Sequence, residues 1–282
     1  AASFFARLFG YDNFKLSAEA IAYIGFAGSL RPEDVDQPIA ICSQSIRDSG
    51  DTYSCATGRM INSSGGATSN TAAWTNFEQP EGCSGGANAS DLNGLICTEG
   101  NPSPLLFGKD MQSIGGQVNT GYSDLRDCWL NNPSLSKASR GYPIEPWTLT
   151  LPVIDCPDNN PGPCSRLVGV VTLHILWIKQ SGSDPKWEDI PSQMRRLDNS
   201  TWSCSNDMDI AVMSDEQRQS CWVEFTEAFN LRTADETSVG DLSASDIQKT
   251  MFFHPDCQAH EPRGATGGEN FGVLARIPKL VK

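Results

Sequence analysis

Between Trp147 and Gln180 the chain reads TLTLPVIDCPDNNPGPCSRLVGVVTLHILWIK, two apolar arms around a Pro/Asn/Gly turn with Cys156 and Cys164 at the two ends of that turn. Apolar runs rich in β-branched residues and bounded by turn formers are the signature of a β-hairpin. In the second arm Leu167, Val171, Leu173, Ile175 and Trp177 fall on one face, and Val168, Val170, Leu176 and Ile178 on the other. A strand that is apolar on both faces has to be covered twice, which predicts a central, buried position in a sheet.

Ten cysteines run from Cys42 to Cys257, with no CxxC pair and no CxxCH among them. Zinc sites and c-type haem attachment need those close spacings, so the cysteines read as structural disulfides formed in an oxidising compartment. About 900 pairings are formally open to ten cysteines, and proximity along the chain is the only guide among them. It favours Cys156–Cys164, Cys83–Cys97 and Cys204–Cys221, and leaves Cys42, Cys55, Cys128 and Cys257 unassigned.

Twenty-one Lys and Arg stand against 34 Asp and Glu, a formal charge of −13. Phosphate binding is driven by Lys and Arg, so nucleic acid is not the partner of such a surface. No run of about 18 apolar residues is present to span a membrane. The chain opens on Ala1 with no charged segment ahead of an apolar one, so we expect an extracytoplasmic piece of a longer precursor whose signal or anchor has been removed.

Along the chain, residues 3–10 predict a short amphipathic turn of helix closed by Gly10. FKLSAEAIAYIGFAG alternates as a half-buried strand, although its alanines also permit helix. Residues 29–110 are rich in Gly, Ser, Asn, Pro and Cys and read as a disulfide-stapled, loop-rich insertion with short strands, with Trp74 and Phe77 as anchors. Residues 111–282 read as the sheet and helix core of one domain spanning 1–282. There a helix is expected near Ser123–Leu130 with Ser123 as N-cap. MSDEQRQSCWVEFTEAFNL is the clearest helix: Ser214 and Gln217 form a capping box, and Cys221, Phe225 and Phe229 share a face suited to packing on a sheet. TMFFHPDC and FGVLARIPKLVK predict two closing strands. The fold class is therefore α+β: a mostly antiparallel sheet on the 147–180 hairpin, a helix at 215–230 over it, and a long stapled loop region.

Three stretches together resemble one family. SFFARLFGYDNFKLSAEAIAYIG, YPIEPWTLTLPVIDC with LVGVVTLHILWI, and FFHPDCQAHEPRGATGGENFGVLARIPKLVK look like the extracytoplasmic region of TadG-like proteins of the bacterial Tad (tight-adherence, Flp-type) pilus assembly systems. The resemblance implies a protein held in the inner membrane by one N-terminal hydrophobic helix, with a periplasmic or surface-exposed domain that serves pilus assembly and adhesion. No catalytic residues are defined for that family, so none carries over. The chain departs from the family in lacking the N-terminal helix and the DxSxS metal-ion-dependent adhesion motif of some longer relatives.

Each candidate for chemistry has a structural counterpart. His174 lies on an apolar strand and reads as a hydrogen-bonded core histidine. His254 and His260 flank Cys257 and, with Asp256, have the ligand types of a zinc-like site, against which Pro255 and a disulfide at Cys257 argue for a structural loop. GCSGG at Gly82–Gly86 resembles a disulfide-bearing loop of papain-like proteases, but the CGSCW nucleophile segment is missing, and the glycines read as backbone turning about Cys83. GxSxG, the P-loop and GxGxxG are absent. Asp158, Asn159 and Asn160, or Asp207 and Asp209, offer oxygens without the EF-hand spacing. Trp74, Trp129, Trp187 and Trp202 suit either a sugar-stacking platform or core plugs. NSS at Asn62, NAS at Asn88 and NST at Asn199 are sequons that mean little in a bacterial host.

These readings converge on a structural or assembly component of a pilus or related filament, with no enzyme activity, no cofactor and no bound metal. Its partners would be filament subunits, with membrane contact only through an N-terminal segment and homo-oligomerisation by strand exchange at the terminal strands. Two rival classes remain. A secreted carbohydrate-binding adhesin needs tryptophans exposed in one groove, and a secreted hydrolase needs two carboxylates or a His–carboxylate pair converging in a cleft.

Overall fold

The structure, a computed structural model, describes residues 21–26, 28–47, 57–62, 72–115, 118–138, 141–157, 161–180, 190–202, 204, 212–233, 236–242, 247, 249–256 and 276–281. Its strands are β1 (Ile21–Phe26), β2 (Ser29–Leu30), β3 (Ile39–Cys42), β4 (Gly58–Asn62), β5 (Ala72–Thr75), β6 (Leu105–Leu106), β7 (Asp110–Gly115), β8 (Trp147–Ile154), β9 (Cys164–Lys179), β10 (Leu231–Arg232), β11 (Thr250–Pro255) and β12 (Arg276–Val281). The helices are α1 (Ala89–Leu92), α2 (Asn119–Asn131) and α3 (Asp215–Ala228). The expected turn of helix at 3–10, Cys55, Cys257, His260, Trp187, residues 158–160 and Asp207 and Asp209 lie outside the described residues.

The hairpin forms where its pattern puts it, with β8 and β9 antiparallel from Trp147↔Ile175 to Ile154↔Leu167. β9 is long enough to serve three neighbours. Its start pairs with β7, its end with β11, and β8 runs along its other side. Pairing then continues from β7 to β5, from β5 to β3, and from β3 back to β8, so that β3, β5, β7, β9 and β8 make a closed ring. β11, β4 and β10 extend the sheet from the far half of β9, giving eight strands in all. Only β3–β8 and β4–β10 are parallel among the described pairs.

Two apolar clusters lie on opposite faces of the ring, as period-two alternation requires. Ile39, Ile41, Trp74, Leu151 and Leu173 belong to one; Ala40, Cys42, Ala73, Met111 and Leu167 belong to the other, Leu167 leaving the face expected to be shared with Leu173 because the register shifts where the partners of Val153 and Ile154 step from Gly169 to Leu167. α3 covers the extended sheet. Ser214 Oγ accepts from Gln217 N at 3.3 Å and Ser214 N donates to Gln217 Oε1 at 2.9 Å, the expected capping box. Trp222 and Phe225 are fully buried against Trp177 and Phe252, and Phe229 against Phe225 and His254, each such burial contributing about 2–3 kcal/mol.

Several expectations need correction. α2 begins four residues before Ser123, whose hydroxyl instead donates to Gln180 Oε1 at 3.2 Å and ties the helix to the end of β9. The short strands expected within residues 29–110 include β3, β4 and β5, which join the main sheet. The turn cysteines Cys156 and Cys164 do not pair with each other, nor does Cys83 with Cys97. Cys156 bonds Cys42, since the parallel register sets Cys42 opposite Ile154, two residues away. Cys164 sits opposite Gln112 of β7 and is drawn to Cys83. Cys97 follows α1 in a turn beside α2 and bonds Cys128, and Cys204 bonds Cys221. These four disulfides point to an oxidising, extracytoplasmic environment. Among the described residues no helix is long and apolar enough to cross a membrane.

The terminal strands β1 and β12 pair with one another over six residues, from Ile21↔Val281 to Phe26↔Arg276. Each thus has one partner within the chain, the pair forming a two-stranded sheet of its own among the described residues.

Candidate functional site

The densest meeting of chemistry-bearing side chains lies across β8, β9 and β11. The hairpin register sets Thr148 opposite His174, and the next pair sets His174 opposite His254, so the three residues form one row. Thr148 Oγ1 and His174 Nδ1 share a hydrogen bond of 3.0 Å, and His174 Nε2 stands 3.6 Å from Asp256 Oδ2. His174 Nδ1 is thus hydrogen-bonded, while Nε2 faces the Asp256 carboxylate from beyond hydrogen-bond distance. A second rung, Thr150 and Thr172, lies beside the first with its hydroxyls 3.5 Å apart.

His254 is held differently. Its ring packs against Phe229, centroids 5.9 Å apart, and above Gly58 of β4, where an added Cβ would sit 3.5 Å from His254 Cε1. Burial, then the neighbouring His174, then Arg196 push its pKa down to about 4, so it stays neutral at physiological pH.

A hydroxyl, an imidazole and a carboxylate in line have the residue types of a nucleophile with its base and orienting acid. Here, however, they come from two adjacent strands and the residue just past the end of a third, and two clefts among the described residues lie elsewhere. Among the described residues no group of three His, Cys, Asp or Glu is placed to hold a metal ion. Asp256, weighed with His254 and His260 as a ligand, instead faces His174.

One cleft, of about 620 Å³, is lined by Gln37, Cys97, Asp124, Asp127, Asn131 and Trp147 among others. Another, of about 720 Å³, is bounded by Phe77, Glu78, Gln79, Pro104, Leu106 and Lys109. At its wall the Gln79 side-chain amide accepts from Leu106 N at 2.6 Å and donates to Leu106 O at 2.9 Å, closing the outer edge of β6 as a neighbouring strand would. The tryptophans do not form a sugar-stacking platform among the described residues: Trp74 and Trp129 are buried and Trp202 is half-buried, packed on Phe225 and Phe229. They plug the core.

Sequence reasoning missed Thr148 and the contact of His174 with Asp256. The signal for the first was present, because Thr148 and His174 are polar interruptions at mirror positions of the two hairpin arms.

Fold and site together define an α+β, disulfide-bonded domain on a largely antiparallel sheet. Set against family models, curated proteins and solved structures, the chain matches none of them.

Proposed function

We propose that this chain is the extracytoplasmic part of a non-enzymatic structural or assembly component of a bacterial tight-adherence (Flp-type) pilus or a related surface filament, working in the periplasm or at the cell surface through contacts with partner subunits. The observation that carries this reading is where the TadG-like stretches fall. The first and last contain β1 and β12, which pair with each other; the middle one is β8 and β9, and the start of the last is β11, which pairs with β9. Segments far apart in sequence are thus neighbours in two separate sheets, as expected if they are the shared scaffold and the remaining segments are elaborations on it. The β1–β12 ladder also brings residues 21–26 and 276–281 together. The chain's net charge of −13 suits cationic faces on neighbouring subunits.

The test is to delete the gene in the source cells, count pili, and follow the protein by antibody through sheared-filament, membrane and periplasmic fractions. Loss of pili together with co-purification with the pilus machinery supports the reading. Unchanged piliation, with the protein absent from membrane and filament fractions, overturns it. Strand exchange is tested separately with Tyr23→Cys and Lys279→Cys, opposed residues of the ladder: oligomers that persist after this pair is cross-linked do not form by opening it.

A further inference from the structure

The Cys97–Cys128 bridge differs from the other three in its surroundings. Cys42, Cys156 and Cys221 are fully buried, and Cys83, Cys164 and Cys204 are half-buried. Cys97 is the one exposed cysteine among the described residues. Its φ of 65° lies in the left-handed region, which a residue carrying a Cβ enters only under constraint. The bridge also forms part of the wall of the 620 Å³ cleft, beside Thr98, Asp124 and Asp127. Exposure and backbone strain are the features that separate labile from structural disulfides.

We propose that Cys97–Cys128 is a thiol–disulfide exchange site, open to the thiolate of a small thiol or of a dithiol oxidoreductase, while the other three described bridges are structural. The inference stands apart from the filament reading. The incoming thiolate bonds to Sγ of Cys97, the exposed residue of the pair. The bond between the two Sγ atoms breaks, and its electron pair leaves on the Cys128 sulfur, which takes a proton from water. A second thiolate then attacks the mixed disulfide at the reagent's sulfur, releasing Cys97 as a thiolate that is protonated in turn. Two electrons have reduced the bridge, and two thiols, or one dithiol, have been oxidised to a disulfide.

The cleft sets the selectivity of this exchange. Cys128 lies in the last turn of α2, at the negative end of the helix dipole, with Asp124 and Asp127 one turn back or less. These carboxylates repel an anionic reagent and favour a cationic one. Once the bridge opens, the turn that carries Cys97 keeps the hydrogen bond from Cys97 N to Gln37 Oε1 at 3.0 Å, so the change is a local loosening of the cleft wall.

The experiment is graded reduction of the whole chain with dithiothreitol, pulse alkylation and peptide mapping, with near-UV circular dichroism on the same samples. Cys97 and Cys128 should be alkylated at least about tenfold faster than Cys42, Cys156, Cys83, Cys164, Cys204 and Cys221, with the near-UV signal unchanged at that stage. Another described bridge opening first or together with it, or loss of the near-UV signal as it opens, overturns the proposal. At equal thiolate concentration cysteamine should outpace glutathione, with the ratio shrinking as salt is added. Equal rates for the two thiols overturn the role given to the acidic cleft.

Discussion

Around α3 and β11, Trp177, Trp222, Phe225 and Phe252 hold their ring centroids 5.1 to 6.3 Å apart, whereas between residues 29 and 110 the chain is braced by crosslinks and single polar side chains. Asn101 is the clearest of these braces. Fully buried, it accepts from Val35 N at 3.0 Å and donates to the carbonyls of Arg31 and Ser103, both at 2.8 Å. Beside it Gly100, at φ 89°, lies so close to the Val35 carbonyl oxygen that a Cβ would collide with it. The two regions show two routes to one ordered interior. A region with long apolar runs is held by packing, which is distributed over many contacts. A region of short strands and turns contributes apolar residues to the same interior and adds individual bonds that fix its turns.

The largest effect should come from the crosslinked side. Replacing Cys42 and Cys156 by alanine frees a separation of 114 residues and should cost about 4–5 kcal/mol in urea denaturation. Removing Cys204 and Cys221, only 17 apart, should cost nearer 3 kcal/mol. Equal losses for the two pairs would mean that chain entropy is not what these bridges supply.

On the packed side Trp177→Ala should cost about 4 kcal/mol, because it empties a fully buried site shared by three other rings. Trp177→Phe should cost much less, since the buried Trp177 Nε1–H has no hydrogen-bond partner to lose. A similar loss for both would show that the indole's shape, rather than burial of an aromatic ring, holds this core.

His254 joins the packed side to pH. Its folded pKa of about 4 lies below the ordinary 6.5, so the unfolded chain binds the extra proton first. Its contribution is fully present above pH 6.5, is lost progressively as pH falls from 6.5 to about 4, and amounts to about 3 kcal/mol. Denaturation midpoints through that window should therefore fall more steeply for the natural chain than for His254→Gln. Parallel slopes would remove His254 as the cause.

Asn101→Ala should show the smallest loss, about 2 kcal/mol, by leaving Val35 N–H and two carbonyls without their partner. Hydrogen exchange should report it at residues 31–35 and 101–103 while β9 and α3 stay protected. Deprotection spreading to β9 would mean that the two regions unfold as one unit.

Legibility follows the same division. The β8–β9 hairpin and α3 with its cap were readable because their signals are local: β-branched runs about a turn, and a capping box ahead of an apolar face. Half of the histidine row was readable as well, since the hairpin register fixes Thr148 against His174. The other half was not, because the partner strand of His254 is chosen by a pairing some eighty residues away in the chain. Ser123 looked like an N-cap in sequence, but α2 had already begun at Asn119 and the hydroxyl serves Gln180 instead.

By itself the sequence determined an α+β, disulfide-bearing, acidic domain with a buried hairpin at its centre, because alternation, capping and turn chemistry act between residues a few positions apart. Tertiary structure decided that β3 lies parallel to β8 and closes the ring, that Cys42 rather than Cys164 meets Cys156, and that Asp256 faces His174. A disulfide or a strand pair forms between groups that packing brings within reach, and distance along the chain carries little information about distance in the fold.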